Sequence, residues 1–242
     1  STDPILFLEY HRQFTHSLFF IPFGSLIVAL LIFPLVKRSM NFKTVYLASL
    51  LGYATHGLLD ACTSYGTQLF WPFSNERVTW NNISIIDPLF TIPVLILLGI
   101  AIKSKKKVFS FFAIGWITFY LSLGFVQYER ALSAAIELAN SRGHNAERLT
   151  LKPSFGNLIL WKSIYQHNET FYVDAIRTVQ SSTWCLGESI TAFDYQQHLP
   201  DLDEDSQQKK DIERFRWFSQ DYLGYDKEKN IVTDIRYSMI PN

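Results

Sequence analysis

His56 and Asp60 stand four residues apart in TVYLASLLGYATHGLLDACTSYG, a stretch otherwise apolar enough to read as a membrane-spanning helix. At i and i+4, an imidazole and a carboxylate share one helical face, a turn apart. Ionisable groups at membrane depth are costly unless paired, metal-bound or wetted, so the pair marks a functional site. His11 and His16 precede a second apolar stretch, and Asp87 opens a third. Imidazoles and carboxylates are zinc or manganese ligands, and a hydrolytic centre keeps one coordination position for water. The expected ligands are His11, His16, His56 and Asp60, the metal being zinc or, as the second choice, manganese. Asp60, Asp87 and Arg12 are the expected catalytic groups, Arg12 because a guanidinium holds a phosphate or carboxylate bidentately. Thr15, Ser17 and Thr63 are candidates to support the ligands. Plainer readings stand beside these: His16 as an interfacial helix-start residue, and His56–Asp60 as a hydrogen-bonded pair between spans.

The positioning elements read as helices. Residues 17–36, 44–64, 85–102 and 108–127 are runs near twenty residues long, almost free of charge, and each is long enough to cross a bilayer. The expectation is an α-helical integral membrane domain of four spans over residues 1–128. A small α+β soluble domain follows over 129–242. Asp87–Pro88 has the form of an N-cap acid followed by proline at the first helical position. The link after the first run carries Lys37, Arg38 and Lys43, and the link after the third carries Lys103, Lys105, Lys106 and Lys107. The positive-inside rule puts both links in the cytoplasm. The His and Asp residues then converge at the outer side, and the C-terminal domain is extracytoplasmic.

The formal net charge is zero and no face is basic, which gives no reason to expect nucleic acid as a partner. The expected partners are membrane lipids and a small or lipid-linked substrate. Cys62 and Cys185 fall in different halves and do not form a disulfide framework.

Taken together, H11-R-Q-F-T-H16-S, H56-G-L-L-D60-A-C-T-S-Y-G-T and S84-I-I-D87-P resemble the bacterial membrane-bound metal-dependent hydrolase family called YbcI/YdjM-like. The W161-K, R214-F and D234-I-R-Y237 segments are similar to a longer branch of it. The resemblance implies a multi-pass protein of the bacterial inner membrane, a metal-dependent hydrolase, and a site built from His11, His16, His56, Asp60 and Asp87. The family pattern also has an earlier helix and a P-D-x-D element upstream of the H-R motif. This chain starts at Ser1, past that point, so an N-terminal part is expected to be missing. Pro200-Asp201-Leu202-Asp203 spells the same element within HLPDLDEDSQQKKD, but its polar surroundings read as a solvated loop.

In the second half, residues 128–149 read as an amphipathic helix ending near Gly143. Residues 158–166 and 170–179 read as strands around a His167-Asn168-Glu169 turn, 231–239 as a third strand, and 214–222 as helix or strand. His144, His167 and His198 read as surface residues. Two function classes remain in play. One is a hydrolase of an ester or phosphoester, lipid-linked or not, at the outer face of the inner membrane. The other is a non-enzymatic sensor or scaffold with a structural metal. A lipid phosphatase of the vanadium-haloperoxidase-like type is disfavoured because Ser49-Leu50 stands where that family has Ser-Arg. A zinc protease is disfavoured because H-E-x-x-H is absent.

Overall fold

The computed structural model describes Asp3 and residues 5–238. In chain order its helices are α1 (Ile5–Tyr10), a 3-10 turn (Phe14–His16), α2 (Ile21–Val36), α3 (Phe42–Ala61), α4 (Pro88–Ser104) and α5 (Val108–Ser141). Strands β1 (Glu147–Pro153), β2 (Leu160–His167), β3 (Thr170–Thr178) and β4 (Ser182–Ala192) follow, then α6 (Tyr195–His198) and α7 (Gln207–Phe218). The chain closes with β5 (Leu223–Asp226), β6 (Ile231–Asp234) and α8 (Ile235–Ser238). Two compact units result, Ser1–Trp80 with Lys210–Gln220, and Asn81–Lys209 with Asp221–Asn242.

The expectation of four spans is overturned. Among the described residues one helix, α5, is long and apolar enough to cross a membrane. The count rises to two only if the segments Ile5–His16 and Ile21–Val36, bent by 81°, are taken as one broken span. Apolar run length overstated helix length. Ser17 accepts the Phe20 amide at 3.1 Å, which holds residues 17–20 in a turn and leaves α2 with 16 residues. At 1.5 Å per residue that is about 24 Å, short of a hydrocarbon layer of about 30 Å. Asp87 starts α4 one residue later, Lys105 ends it at φ 55°, and 17 residues remain. The helix α3 has 20 residues, but Lys43, His56 and Asp60 lower its hydropathy.

In the first unit, the Asn41 side chain caps α3 by accepting the Thr44 amide at 2.9 Å. At Gly24, α2 packs closely on α3: a Cβ there would lie 2.7 Å from the Tyr53 ring. The loop after α3 folds back through an antiparallel bridge between Thr67 and Val78. Arg77 lies buried against the rings of Tyr65, Trp217 and Phe218. Arg214 of α7 pairs with Asp3 at 2.9 Å and Glu9 at 2.8 Å, so the ambiguous 214–222 segment is mainly helix and clamps α1.

In the second unit the sheet is antiparallel throughout, in the order β1-β2-β3-β4-β5-β6. The β2–β3 hairpin turns through Asn168, which takes the left-handed conformation at φ 54°. The expected strand over 231–239 gives way to α8 after Asp234, and Met239 lies outside the described residues. Strands β1, β4 and β5 were not anticipated. The long helix supplies one side of a core cluster in this unit: Ala131, Ala134, Ala135 and Leu138 pack against Leu151, Trp161 and Ile176. Where α5 meets the sheet, Gln127 Nε2 donates to the carbonyls of Leu158 (3.1 Å) and Thr178 (2.9 Å). Arg130 donates to the Val179 carbonyl at 2.6 Å.

The sheet also sets two lysines opposite one another, Lys152, buried, on β1 and Lys162, half-buried, on β2. Their ammonium groups donate to the carbonyls of Arg236 (2.9 Å) and Ile235 (2.7 Å). Burial, aided by the Arg236 guanidinium, pushes Lys152 down to about 6, and burial pushes Lys162 down to about 8. An unfolded lysine titrates near 10.4, so between these values the unfolded chain binds more protons than the folded one. Stability therefore rises with pH from about 6 to about 10 and is lost on the acid side. The Tm of the purified protein should climb over that range. Lys152→Met should flatten the climb and raise Tm at pH 7, whereas an unchanged slope would contradict the assignment.

Candidate metal centre

Three of the expected ligands converge in the first unit. One ligand atom from each of His16, His56 and Asp60 falls within 4.8 Å of the others. Asp60 Oδ2 is the hub, 2.9 Å from His16 Nε2, 3.9 Å from His56 Nε2 and 3.3 Å from Arg12 Nε. The two imidazole centroids are 4.3 Å apart. Exposure is graded across the cluster: the side chains of His16, Asp60 and His56 are 14%, 23% and 53% exposed. The open side therefore lies at His56.

Each position has a local cause. The i, i+4 spacing on α3 brings His56 and Asp60 to one face, as the sequence predicts. His16 arrives from the 3-10 turn; it lies five residues, roughly 140° on an ideal helix, from His11, so at least one of the two had to leave helical geometry to join a common site. That turn seats directly on α3 because residue 57 is glycine: a Cβ there would lie 2.4 Å from the His16 carbonyl oxygen. Thr15 Oγ1 lies 2.9 Å from His16 Nδ1, fixing the ring that presents Nε2 to Asp60. Arg12 sits at φ 57°, and its Nη1 donates to the Asp60 carbonyl (3.2 Å) and Thr63 Oγ1 (2.8 Å). The Thr63 hydroxyl donates in turn to the Asp60 carbonyl at 2.7 Å.

Burial alone would raise the Asp60 carboxyl. The hydrogen bond from His16 and the charge of Arg12 more than offset this and hold it below the ordinary carboxylate range. Burial and the neighbouring His16 push the His56 imidazole below its usual value. Both shifts favour the metal-binding forms, a carboxylate and a neutral imidazole. A donor set of two imidazoles and one carboxylate, open on one side, fits zinc or manganese.

Two expected site residues are not in this group. The His11 ring packs against Phe7 (5.0 Å) and Tyr65 (4.8 Å) instead. Asp87 lies in the second unit, where Oδ1 accepts the Leu89 and Phe90 amides and Oδ2 accepts the Tyr120 hydroxyl at 2.7 Å. Pro200–Asp203 forms a turn and loop, and no cluster with metal-ligand geometry includes it among the described residues.

Other contributors went unnoticed at the level of sequence. Tyr65 lies under the Arg12 guanidinium at 5.1 Å. Gln68, fully buried, takes the Arg12 carbonyl on its amide (3.0 Å) and donates its side chain to the Glu9 carbonyl (3.3 Å). The signal for both was their place in T63-S-Y-G-T-Q68, immediately after Asp60.

Comparison with known proteins gives two matches. Residues 1–131, which hold all of this cluster, match the family described as YdjM inner membrane protein. A protein of Bacillus subtilis (strain 168), "Uncharacterized protein YfhP", is 32% identical over 95 residues. That stretch is 39% of this chain but 29% of the relative, so less than a third of the relative's length is covered. No solved structure matches the chain.

Proposed function

The chain belongs to the YdjM inner membrane protein family, and from that premise we propose that it is a metal-dependent hydrolase of an ester or phosphoester. The observation that carries the reading is the convergence of His16, His56 and Asp60 beside Arg12. When bound there, a divalent ion, zinc or alternatively manganese, supplies Lewis acidity and a water acidic enough to act as a nucleophile near neutral pH. The chain's own residues hold the ion and place the substrate. Thr15 orients His16 toward it. Arg12 Nη2 has no acceptor among the described residues, so its protons remain for an anionic oxygen of the ester.

Metal analysis of the purified protein beside His56→Ala and Asp60→Ala tests this. Wild type should carry one divalent ion and hydrolyse a chromogenic phosphoester, and either variant should lose both. His144→Ala, in the other unit, serves as the control. A wild type that carries the metal but cleaves no ester would favour the sensor or scaffold reading. Variants that retain full metal content would end the metal reading altogether and leave Asp60 as the counter-ion of Arg12 and His16.

The same proposal includes an orientation. Lys103, Lys105, Lys106 and Lys107 crowd the start of α5. The positive-inside rule keeps such a run in the cytoplasm, which makes the sheet beyond α5 extracytoplasmic. A reporter active only in the cytoplasm should work when fused after Lys106 and fail after Ser154. The opposite pattern would reverse the orientation.

A further inference from the structure

The face of α3 that carries Asp60 and His56 does not stop at His56. Toward the N-terminus the positions one, two and three turns earlier on that face are Gly52, Ala48 and Val45. With Val28, Ile32 and Met40 they line a groove of about 510 Å³ along α2 and α3, and His56 closes one end of it. The distance from Val45 to His56 along the helix is roughly 17 Å. The groove is concave because its floor residues are small. A Cβ built on Gly52 meets nothing within 4 Å, so that glycine opens onto free space. Gly57, in the same helix, is by contrast packed hard against His16. A polar end at His56 thus continues into an apolar track on one helical face.

We infer that this groove holds the hydrocarbon chain of an amphiphilic substrate whose anionic ester or phosphoester head lies at Arg12 and the His16–His56–Asp60 cluster. The inference rests on the hydrolase reading for the chemistry at the head, and the groove itself supplies the tail. Charge complementarity selects the head, since Arg12 attracts an anion, as would a divalent cation held by the cluster. The track selects a single aliphatic chain. It has no charged lining residue, and each methylene that leaves water for it contributes to binding. An inner-membrane protein meets such molecules in the bilayer around it.

The test uses the full-length protein in nanodiscs and a long-chain alkyl phosphate carrying a photoreactive diazirine near the end of its chain. Cross-links mapped by mass spectrometry should concentrate on residues 28–48 of the groove. Excess long-chain alkyl phosphate should compete, and the corresponding uncharged alkanol should not. Gly52→Phe fills the groove and should cut these cross-links at least tenfold while leaving the metal content unchanged. Ala48→Phe provides an independent block of the same track. With chromogenic phosphoesters, Gly52→Phe should raise KM for the long-chain substrate at least tenfold and leave the methyl ester untouched. Cross-links spread evenly over the apolar helices, or unaffected by both blocking variants, would overturn the inference. Groove-specific labelling in a protein that binds no metal would retain the tail site and reject the hydrolase reading, so the two failures are distinguishable.

Discussion

Gly57→Ala is expected to dismantle the candidate metal centre without changing any of its three donor residues. The added methyl would lie 2.4 Å from the His16 carbonyl oxygen and 3.3 Å from its carbon, far inside van der Waals contact. Both atoms belong to backbone, so no side chain can rotate away. The 3-10 turn must lift off α3, and the 2.9 Å contact between His16 Nε2 and Asp60 lengthens as it does. Displacing one ligand of three should lower metal affinity by roughly tenfold to a hundredfold, the range found when the support of a ligand is lost. Overpacking of this kind costs about 1–3 kcal/mol of stability. Gly52→Ala is the matched comparison, since its methyl enters open space and glycine is a poor helix former. It should bind metal normally and be slightly more stable than wild type. Titration of both variants with zinc, alongside their Tm values, separates the two cases. Equal affinities would show that the close approach of the turn to α3 does not set the site.

Asp174→Ala should produce the largest loss of stability in the sheet unit. Arg142, at the C-terminal end of α5, grips Asp174 through two hydrogen bonds of 2.7 and 2.8 Å and also donates to the Tyr165 hydroxyl. Asp174 is almost wholly buried and accepts the Gly187 amide at 2.9 Å. That amide is within reach because the β3–β4 register shifts between Val173 and Ala175. Gly187 is also required there, since a Cβ would lie 2.0 Å from the Val173 carbonyl oxygen. Removing one partner of a buried pair typically costs about 3–5 kcal/mol, because the other charge is stranded. The double variant Arg142→Met, Asp174→Leu should recover much of that loss, which thermal unfolding of the three proteins would measure. A double variant no more stable than Asp174→Ala would mean that the Gly187 bond, not the ion pair, carries the contribution.

The legible part of the site was the part written in local periodicity. His56 and Asp60 could be placed on one face from their spacing, and Thr15 and Thr63, named as supports, touch His16 and the Asp60 carbonyl. His16 was named as a ligand, and its five-residue distance from His11 called for a turn; what seats that turn on α3 was not visible, because the cause lies in an absent side chain at Gly57. His11 and Asp87 stand outside the cluster for different reasons. His11 has the right chemistry but aromatic neighbours on both sides. Asp87 was recognised as a helix cap and then asked to serve in the site as well; the cap and Tyr120 together occupy both its oxygens. The β2–β3 hairpin was legible from its β-branched and aromatic runs about a tight polar turn. Strand β4 was not, because Ser182–Ala192 is largely exposed and mixed in composition. The span count failed because hydropathy measures where a chain is apolar, whereas crossing requires it to be helical without interruption.

The helix α5 runs unbroken for 34 residues, about 51 Å. A hydrocarbon layer of about 30 Å uses little more than half of it. The remainder is the part whose alanines form the core beneath Trp161, and Gln127 and Arg130 tie the hairpin ends to it at the junction. Anchor and domain are therefore two stretches of one rod, with no hinge between them. Long apolar helices tilt to match the thickness of the layer they cross. A tilt taken up inside the layer is transmitted along the rod, and the sheet swings with it as the blade of an oar follows its shaft.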